Sequence, residues 1–132
     1  MAGHSPRSLA DKLGIKPGMS ILPIAAPKDY RALLGIDAPF AARPPKGGAD
    51  FVHLFVTLLA EIDTQLPAAR KAMKPDGMLW VSWYKKAAKI PTDVTEDLIR
   101  ARALKTDLVD VKVCAVSDEW SGLKLMVRKH LR

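Results

Sequence analysis

Two short runs constrain this chain more than any other feature: Phe51-Val-His-Leu-Phe-Val56 and Met78-Leu-Trp-Val-Ser-Trp83 are apolar at nearly every position. A strand with one wet face alternates polar and apolar residues, whereas an unbroken apolar run of this length belongs to a strand covered on both faces, as in parallel sheets. Between the runs, Leu58, Ile62, Leu66, Ala69 and Met73 recur at intervals of four or three and draw one apolar stripe on a helix from about Leu58 to Lys74. Strand, helix and strand in that order make a parallel crossover unit. Pro67 interrupts the stripe and predicts a kink or a break, because proline lacks a donor N–H and collides with the preceding turn. Lys74-Pro-Asp-Gly77 reads as a turn.

The rest of the chain extends this alternation. Ser5-Pro6 reads as a cap followed by proline at the first helical position, opening a short helix that Gly14 closes. The apolar run from Met19 to Ala26 predicts a buried strand, irregular or only partly paired at Pro23. Lys28 to Leu34 predicts a brief helix ended by Gly35. Ile36 to Arg43 is a candidate second strand, and Arg43 to Gly48 is a loop. After the second apolar run, Thr92 or Thr95 caps a helix whose start carries Asp93, Glu96 and Asp97, with Val94, Leu98, Ala101 and Leu104 as its core face. The chain then changes character: Val109, Val111 and Val113 alternate with Asp110, Lys112 and Cys114, and Leu123, Leu125 and Val127 alternate with Lys124, Met126 and Arg128. Such alternation marks an antiparallel pair with one wet face, joined across Ser117–Gly122.

At 132 residues the chain has room for one domain, and 48% hydrophobic residues supply a core. Cys114 is the single cysteine, which excludes an internal disulfide, and His4, His53 and His130 lack metal-ligand spacing, so no metal site is expected. No apolar stretch approaches the roughly 20 residues that span a bilayer, and the start carries no apolar signal core, so a cytoplasmic address is the expectation. A formal net charge of +7 favours phosphates, nucleic acid or acidic membranes as partners without choosing among them.

The strings DGMLWVSWYKK, PTDVTEDLIR and VKVCAVSDEWSGLKL look like those of a small bacterial family of unknown function, a likeness that runs from Leu9 to Arg128. The closing pattern resembles the second half of the S-adenosylmethionine-dependent methyltransferases, whose helix often ends in a Lys-Pro-Gly-Gly turn, here Lys74-Pro75-Asp76-Gly77. Both likenesses imply an α/β fold, a single-domain Rossmann-like three-layer sandwich over residues 1–132, with a mostly parallel sheet and a C-terminal antiparallel hairpin. The methyltransferase resemblance also implies a glycine-rich loop after the first strand and an acidic residue ending the second, to hold the cofactor. Here the first loop is Ala25-Ala26-Pro27-Lys28, and the candidate second strand ends near Arg43. The expectation is therefore a reduced relative of that fold, not a competent methyltransferase. The alternative is a minimal S-adenosylmethionine-dependent methyltransferase with its cofactor over Ala25–Lys28.

In open α/β sheets, ligands settle beyond the carboxyl ends of the parallel strands. Three loops should meet there: Ala25–Asp29, Trp83–Lys89 and Ser117–Gly122. They would gather Ala26, Pro27, Lys28, Trp83, Tyr84, Lys85, Lys86, Lys89, Trp120 and Ser121. Cations beside flat rings and the start of the helix capped by Thr92 suit an anionic small molecule, such as a nucleotide. The bland alternative makes the lysines a solvated rim and the tryptophans core. Nucleic acid is a further partner to weigh, on the net charge, the Lys85–Lys89 cluster and the Arg128–Arg132 tail, and an oligomer subunit is a third reading. His53 is either a general base or a core histidine bonded to a neighbour. Cys114 reads as a small packing residue, and Asp118-Glu119 beside Lys124 as an acid–base pair or a solvated turn.

Overall fold

The two apolar runs lie side by side and point the same way. Strands β2 (Ala49–Phe55) and β3 (Met73–Tyr84) are parallel neighbours, with Phe51 opposite Met78 and Leu54 opposite Val81. This computed structural model describes residues 8–132. On the far side of β2 lies β1 (Ile21–Ile24), also parallel. Beyond β3 the direction reverses: β5 (Trp120–Val127) is antiparallel to β3, and β4 (Leu108–Ala115) pairs antiparallel with β5, giving the order β1-β2-β3-β5-β4.

Helices cover both faces. Against one face pack α1 (Leu9–Leu13) and α2 (Tyr30–Leu34), where Leu13, Tyr30 and Leu34 meet Phe51, Phe55 and Trp80. Against the other pack α3 (Leu59–Ala72) and α4 (Glu96–Ala103), where Ile62, Leu66 and Ile99 meet Leu54, Val81 and Leu123. Phe51, Val52 and Leu54 are wholly buried although they alternate in direction, which is why the sequence shows no polar alternation there. Trp80 is also fully buried, and its Nε1 donates to the Leu13 carbonyl at 3.0 Å, fastening the end of α1 to the sheet.

Several local expectations need correction. The Ser5-Pro6 cap lies outside the described residues; within them, Ser8 caps α1 by accepting from the Asp11 N–H. Residues 36–43 form no strand. The Ala41 N–H donates to the Ile21 carbonyl at 2.8 Å, but Pro39, Pro44 and Pro45 have no donor to extend that ladder. That leaves β1 at the sheet edge, where Pro23 is tolerated. Helix α3 runs through Pro67 without a break, because Pro67 faces solvent and the carbonyl it frees, on exposed Asp63, is open to water. The Lys74–Gly77 turn is absorbed into β3 as an irregularity: the partner of β2 jumps from Met73 opposite Ala49 to Met78 opposite Phe51. A Cβ at Gly77 would stand 3.0 Å from the Ala49 and Asp50 carbonyls, so glycine lets the bulged chain hug β2.

The core face of α4 also differs. Ile99 and Ala103 are buried, while Ala101 and Leu104 are exposed. Val94 is buried but precedes the helix, so helical spacing counted from it carries no phase. In β4 a register shift between Asp110 and Lys112 breaks the alternation, and Val111 and Val113 are 49% and 45% exposed at the sheet edge.

Candidate functional site

Beyond the end of β3 the chain makes a 3-10 turn at Lys86–Ala88, then runs without regular structure to Thr95, which caps α4. This segment, the start of α4 and Ser121 of β5 enclose an open cleft of about 790 Å³. Trp83, Tyr84, Lys85, Lys86 and Lys89 form one wall, and Ile90, Pro91, Thr92, Thr95, Glu96 and Asp97 contribute to the other. The Lys85 N–H donates to the Glu119 carbonyl at 2.8 Å, so the second and third expected loops do meet. Lys86 and Lys89 are exposed, Lys85 is partly so, and among the described residues none of the three ammonium groups has a carboxylate partner. Lys89 takes a left-handed backbone, φ 55°, to end the 3-10 turn.

The opposite wall differs from the sequence expectation. The cap of α4 is Thr95, whose side chain accepts from the Leu98 N–H. Thr92 instead donates its hydroxyl to the Thr57 carbonyl at 2.7 Å and accepts from the Val94 N–H, which ties the cleft to the start of α3. Asp93 faces the same way, accepting from the Leu59 N–H at 2.7 Å. Glu96 and Asp97 occupy the first turn of α4 and pair with Arg100 at 2.5 and 3.1 Å, so the helix start is already supplied with negative charge. An anion in this cleft would meet the lysine wall, not the helix end. Glu96 and Asp97 line the cleft without being legible as such in the sequence, where acidic side chains in a first helical turn signal only the start of a helix.

The remaining expected contacts fall elsewhere. Ala26 packs against the α1/α2 side of the core, the Pro27 carbonyl accepts from the Tyr30 N–H, and Lys28 is exposed; none of the three lines the lysine cleft. Trp120 is 6% exposed, stacks on Tyr84 with centroids 4.0 Å apart and meets Phe55 edge-on. It borders a separate hollow of about 230 Å³ with Asp29, Leu33, Ser117, Asp118 and Glu119. The Tyr84–Trp120 stack therefore stands between a basic cleft and an acidic hollow.

His53 lines neither cavity. It is fully buried, with Nδ1 2.8 Å from the Tyr30 hydroxyl and Nε2 2.7 Å from Ser82 Oγ. Burial lowers its pKa to about 3 and raises that of the Tyr30 phenol. A neutral imidazole has one donor and one acceptor nitrogen, and the two hydroxyls satisfy both. This is a core histidine. Cys114 packs, partly buried, against the α1/α2 side of the core. Among the described residues no group of three or more His, Cys, Asp or Glu is placed to hold a metal, and no helix is long and apolar enough to cross a membrane.

The first loop is where the methyltransferase resemblance meets its test. The turn after β1 is made by Ala25 at φ 58°, a left-handed conformation that costs a residue with a Cβ about 1–2 kcal/mol. No strand forms between α2 and β2 to end in a ribose-holding carboxylate. The residues present do not fit an S-adenosylmethionine site of the kind the resemblance implies.

No family model and no curated protein matches the chain. Solved structures do. A SAM-dependent methyltransferase from Aquifex aeolicus shares the fold with a TM-score of 0.59 at 14% identity, over 90% of this chain and 87% of that one. A protein in the NADB-Rossmann superfamily from Streptococcus agalactiae matches with a TM-score of 0.56 at 11% identity, over 94% of this chain and 69% of that one. By these likenesses the chain has a Rossmann-like, methyltransferase-like fold.

Proposed function

We propose that this chain is a reduced Rossmann-like binding domain that takes a small anionic molecule, of nucleotide size, in the cleft beyond β3, and that it does not carry out S-adenosylmethionine-dependent catalysis. The observation that supports this most directly is the set of three unpaired lysines, Lys85, Lys86 and Lys89, on one wall of a cleft of about 790 Å³. That volume lies within the range of small-molecule sites, roughly 300–1,000 Å³, and the cleft sits where ligands of open α/β sheets settle. Tyr84, partly exposed and stacked on Trp120, adds aromatic surface for a flat ring, whereas Trp83 is buried in the core and reaches the cleft only at its margin. The non-glycine first loop and the strandless stretch before β2 support the loss of the cofactor grip.

A thermal-shift series tests this reading with inorganic pyrophosphate, ADP and S-adenosylmethionine. A ligand at a hundred times its Kd adds about 2.7 kcal/mol, enough to raise the melting temperature by several degrees. The expected result is a rise with pyrophosphate and ADP that disappears in the triple variant Lys85→Ala, Lys86→Ala, Lys89→Ala, and no rise with S-adenosylmethionine. A rise with S-adenosylmethionine alone would favour the minimal methyltransferase, which the fold neighbours support. No rise with millimolar pyrophosphate or ADP would reject the anion site.

A further inference from the structure

The net positive charge of the chain is not concentrated at the cleft. At the carboxyl edge of the sheet, Lys28 and the three cleft lysines are outnumbered by Asp29, Asp93, Glu96, Asp97, Asp118 and Glu119. The cations collect at the opposite edge, where β2, β3 and β4 begin and β5 ends. Lys71 stands in the last turn of α3, Lys105 follows α4, and Arg128, Lys129 and Arg132 follow β5.

Contacts hold these segments together. Arg70 of α3 grips Asp107, ahead of β4, with Nε and Nη2 at 2.9 Å. The Arg128 N–H donates to the Asp107 carbonyl at 2.8 Å, and its Nη2 to the Leu104 carbonyl at 3.0 Å. Arg132 Nε returns to the Val127 carbonyl. The carboxylates on this edge are largely committed: Asp107 to Arg70 and Asp50 to Lys74, leaving Asp76 exposed. Lys71, Lys105 and Lys129 are exposed and, among the described residues, have no ion-pair partner. The α3 end accounts for one or two cations through the helix dipole, but not for those after β5. The His130 imidazole, beside Lys129, is the one exposed ring on this edge among the described residues, and no Phe, Tyr or Trp platform for unpaired bases is exposed there.

We infer that the edge of the sheet opposite the cleft docks the phosphate backbone of duplex nucleic acid, without base readout. Five cations against one exposed carboxylate, Asp76, suit a surface that carries one charge about every 1.7 Å, and the lack of an exposed Phe, Tyr or Trp ring favours a duplex over a single strand. This surface is separate from the cleft and does not depend on the anion reading.

Fluorescence anisotropy with a labelled duplex DNA of mixed sequence, at several salt concentrations, tests it. Five phosphate contacts predict a loss of roughly five hundred-fold in affinity between 50 and 200 mM salt. Lys71→Glu, Lys105→Glu and Lys129→Glu together should cut that dependence to about twelve-fold, leaving two contacts. A milder Lys→Gln set at the same positions guards against misfolding. The control is Lys85→Glu, Lys86→Glu and Lys89→Glu, which changes the net charge by the same amount and should leave DNA affinity within about two-fold of the parent. Equal weakening by both charge-reversed sets, weakening by the cleft set alone, or no binding at 50 mM salt would each overturn the inference. A single strand bound more tightly than the duplex would also contradict it.

Discussion

His53 Nε2 and Ser82 Oγ lie 2.7 Å apart between neighbouring parallel strands, both side chains fully buried, and the second imidazole nitrogen lies 2.8 Å from the Tyr30 hydroxyl. The chain of three groups joins α2, β2 and β3 through the α1/α2 side of the core. Removing either hydroxyl strands an imidazole nitrogen away from water. Ser82→Ala and Tyr30→Phe should each lose about 1–3 kcal/mol in urea denaturation. A loss below 0.5 kcal/mol for both would show that the network holds nothing together.

The same burial sets a pH dependence. The folded pKa of His53 is lowered to about 3 from the ordinary value of 6.5. Below pH 6.5 the unfolded chain therefore binds a proton that the folded chain refuses, so stability is full above that pH and falls as the solution is acidified. Between pH 7.5 and pH 5 the loss should be about 2 kcal/mol. Asp50, Glu61 and Asp107, whose pKa values are lowered by hydrogen bonds from Lys74, the Thr57 backbone and Arg70 respectively, add their losses only at lower pH. Denaturation of the His53→Gln variant should give a flatter slope across pH 7.5 to 5; an unchanged slope would mean that another group is responsible.

Ala25 holds φ at 58° in the turn after β1. Ala25→Gly removes the steric cost of that conformation but frees the unfolded chain, and the net gain should be about 0.5–1 kcal/mol. Destabilisation instead would place the Ala25 backbone elsewhere.

Gly122 sits where β5 crosses the core, and a Cβ there would stand 3.0 Å from Trp80 Cε3 and 3.1 Å from Val116 Cγ2. Both neighbours are buried, so neither can move freely. Gly122→Ala should cost about 1–3 kcal/mol by overpacking, measured by thermal denaturation. In contrast, Lys85→Ala with Lys86→Ala should stay within about 0.5 kcal/mol of the parent, as exposed substitutions do. A severe loss would assign the lysines to the scaffold.

The centre of the sheet could be read from the sequence, because double burial leaves a direct mark: Phe51–Val56 and Met78–Trp83 have few other ways to fold, and Ile62, Leu66 and Ala69 of the apolar stripe face the core from one helix, although Leu58 stands exposed ahead of α3 and Met73 already belongs to β3. Legibility fell where context outweighs pattern. The valines of β4 alternate as if one face were buried, but the register shift after Asp110 and the edge position expose Val111 and Val113. The apparent strand from Ile36 to Arg43 has apolar residues but too few donors to add to a ladder. For the site, proximity in sequence revealed the lysine wall at Lys85–Lys89. The facing wall around Thr92 and Glu96 depends on how α4 is set over the sheet, and Ser82 could not be paired with His53 without knowing that β2 and β3 are neighbours in this register. The charge segregation between the two sheet edges was hidden for the same reason, since it joins the ends of α3, α4 and β5.

Backbone amide shifts followed by NMR during titration with ADP locate the ligand most directly. Binding in the proposed cleft should perturb Trp83–Thr95 and Ser121 while leaving Ala25–Asp29 still. Perturbations concentrated at Ala25–Asp29, with the lysine segment unmoved, would return the ligand to the first loop and contradict the reading of this chain as a scaffold that has given up that site.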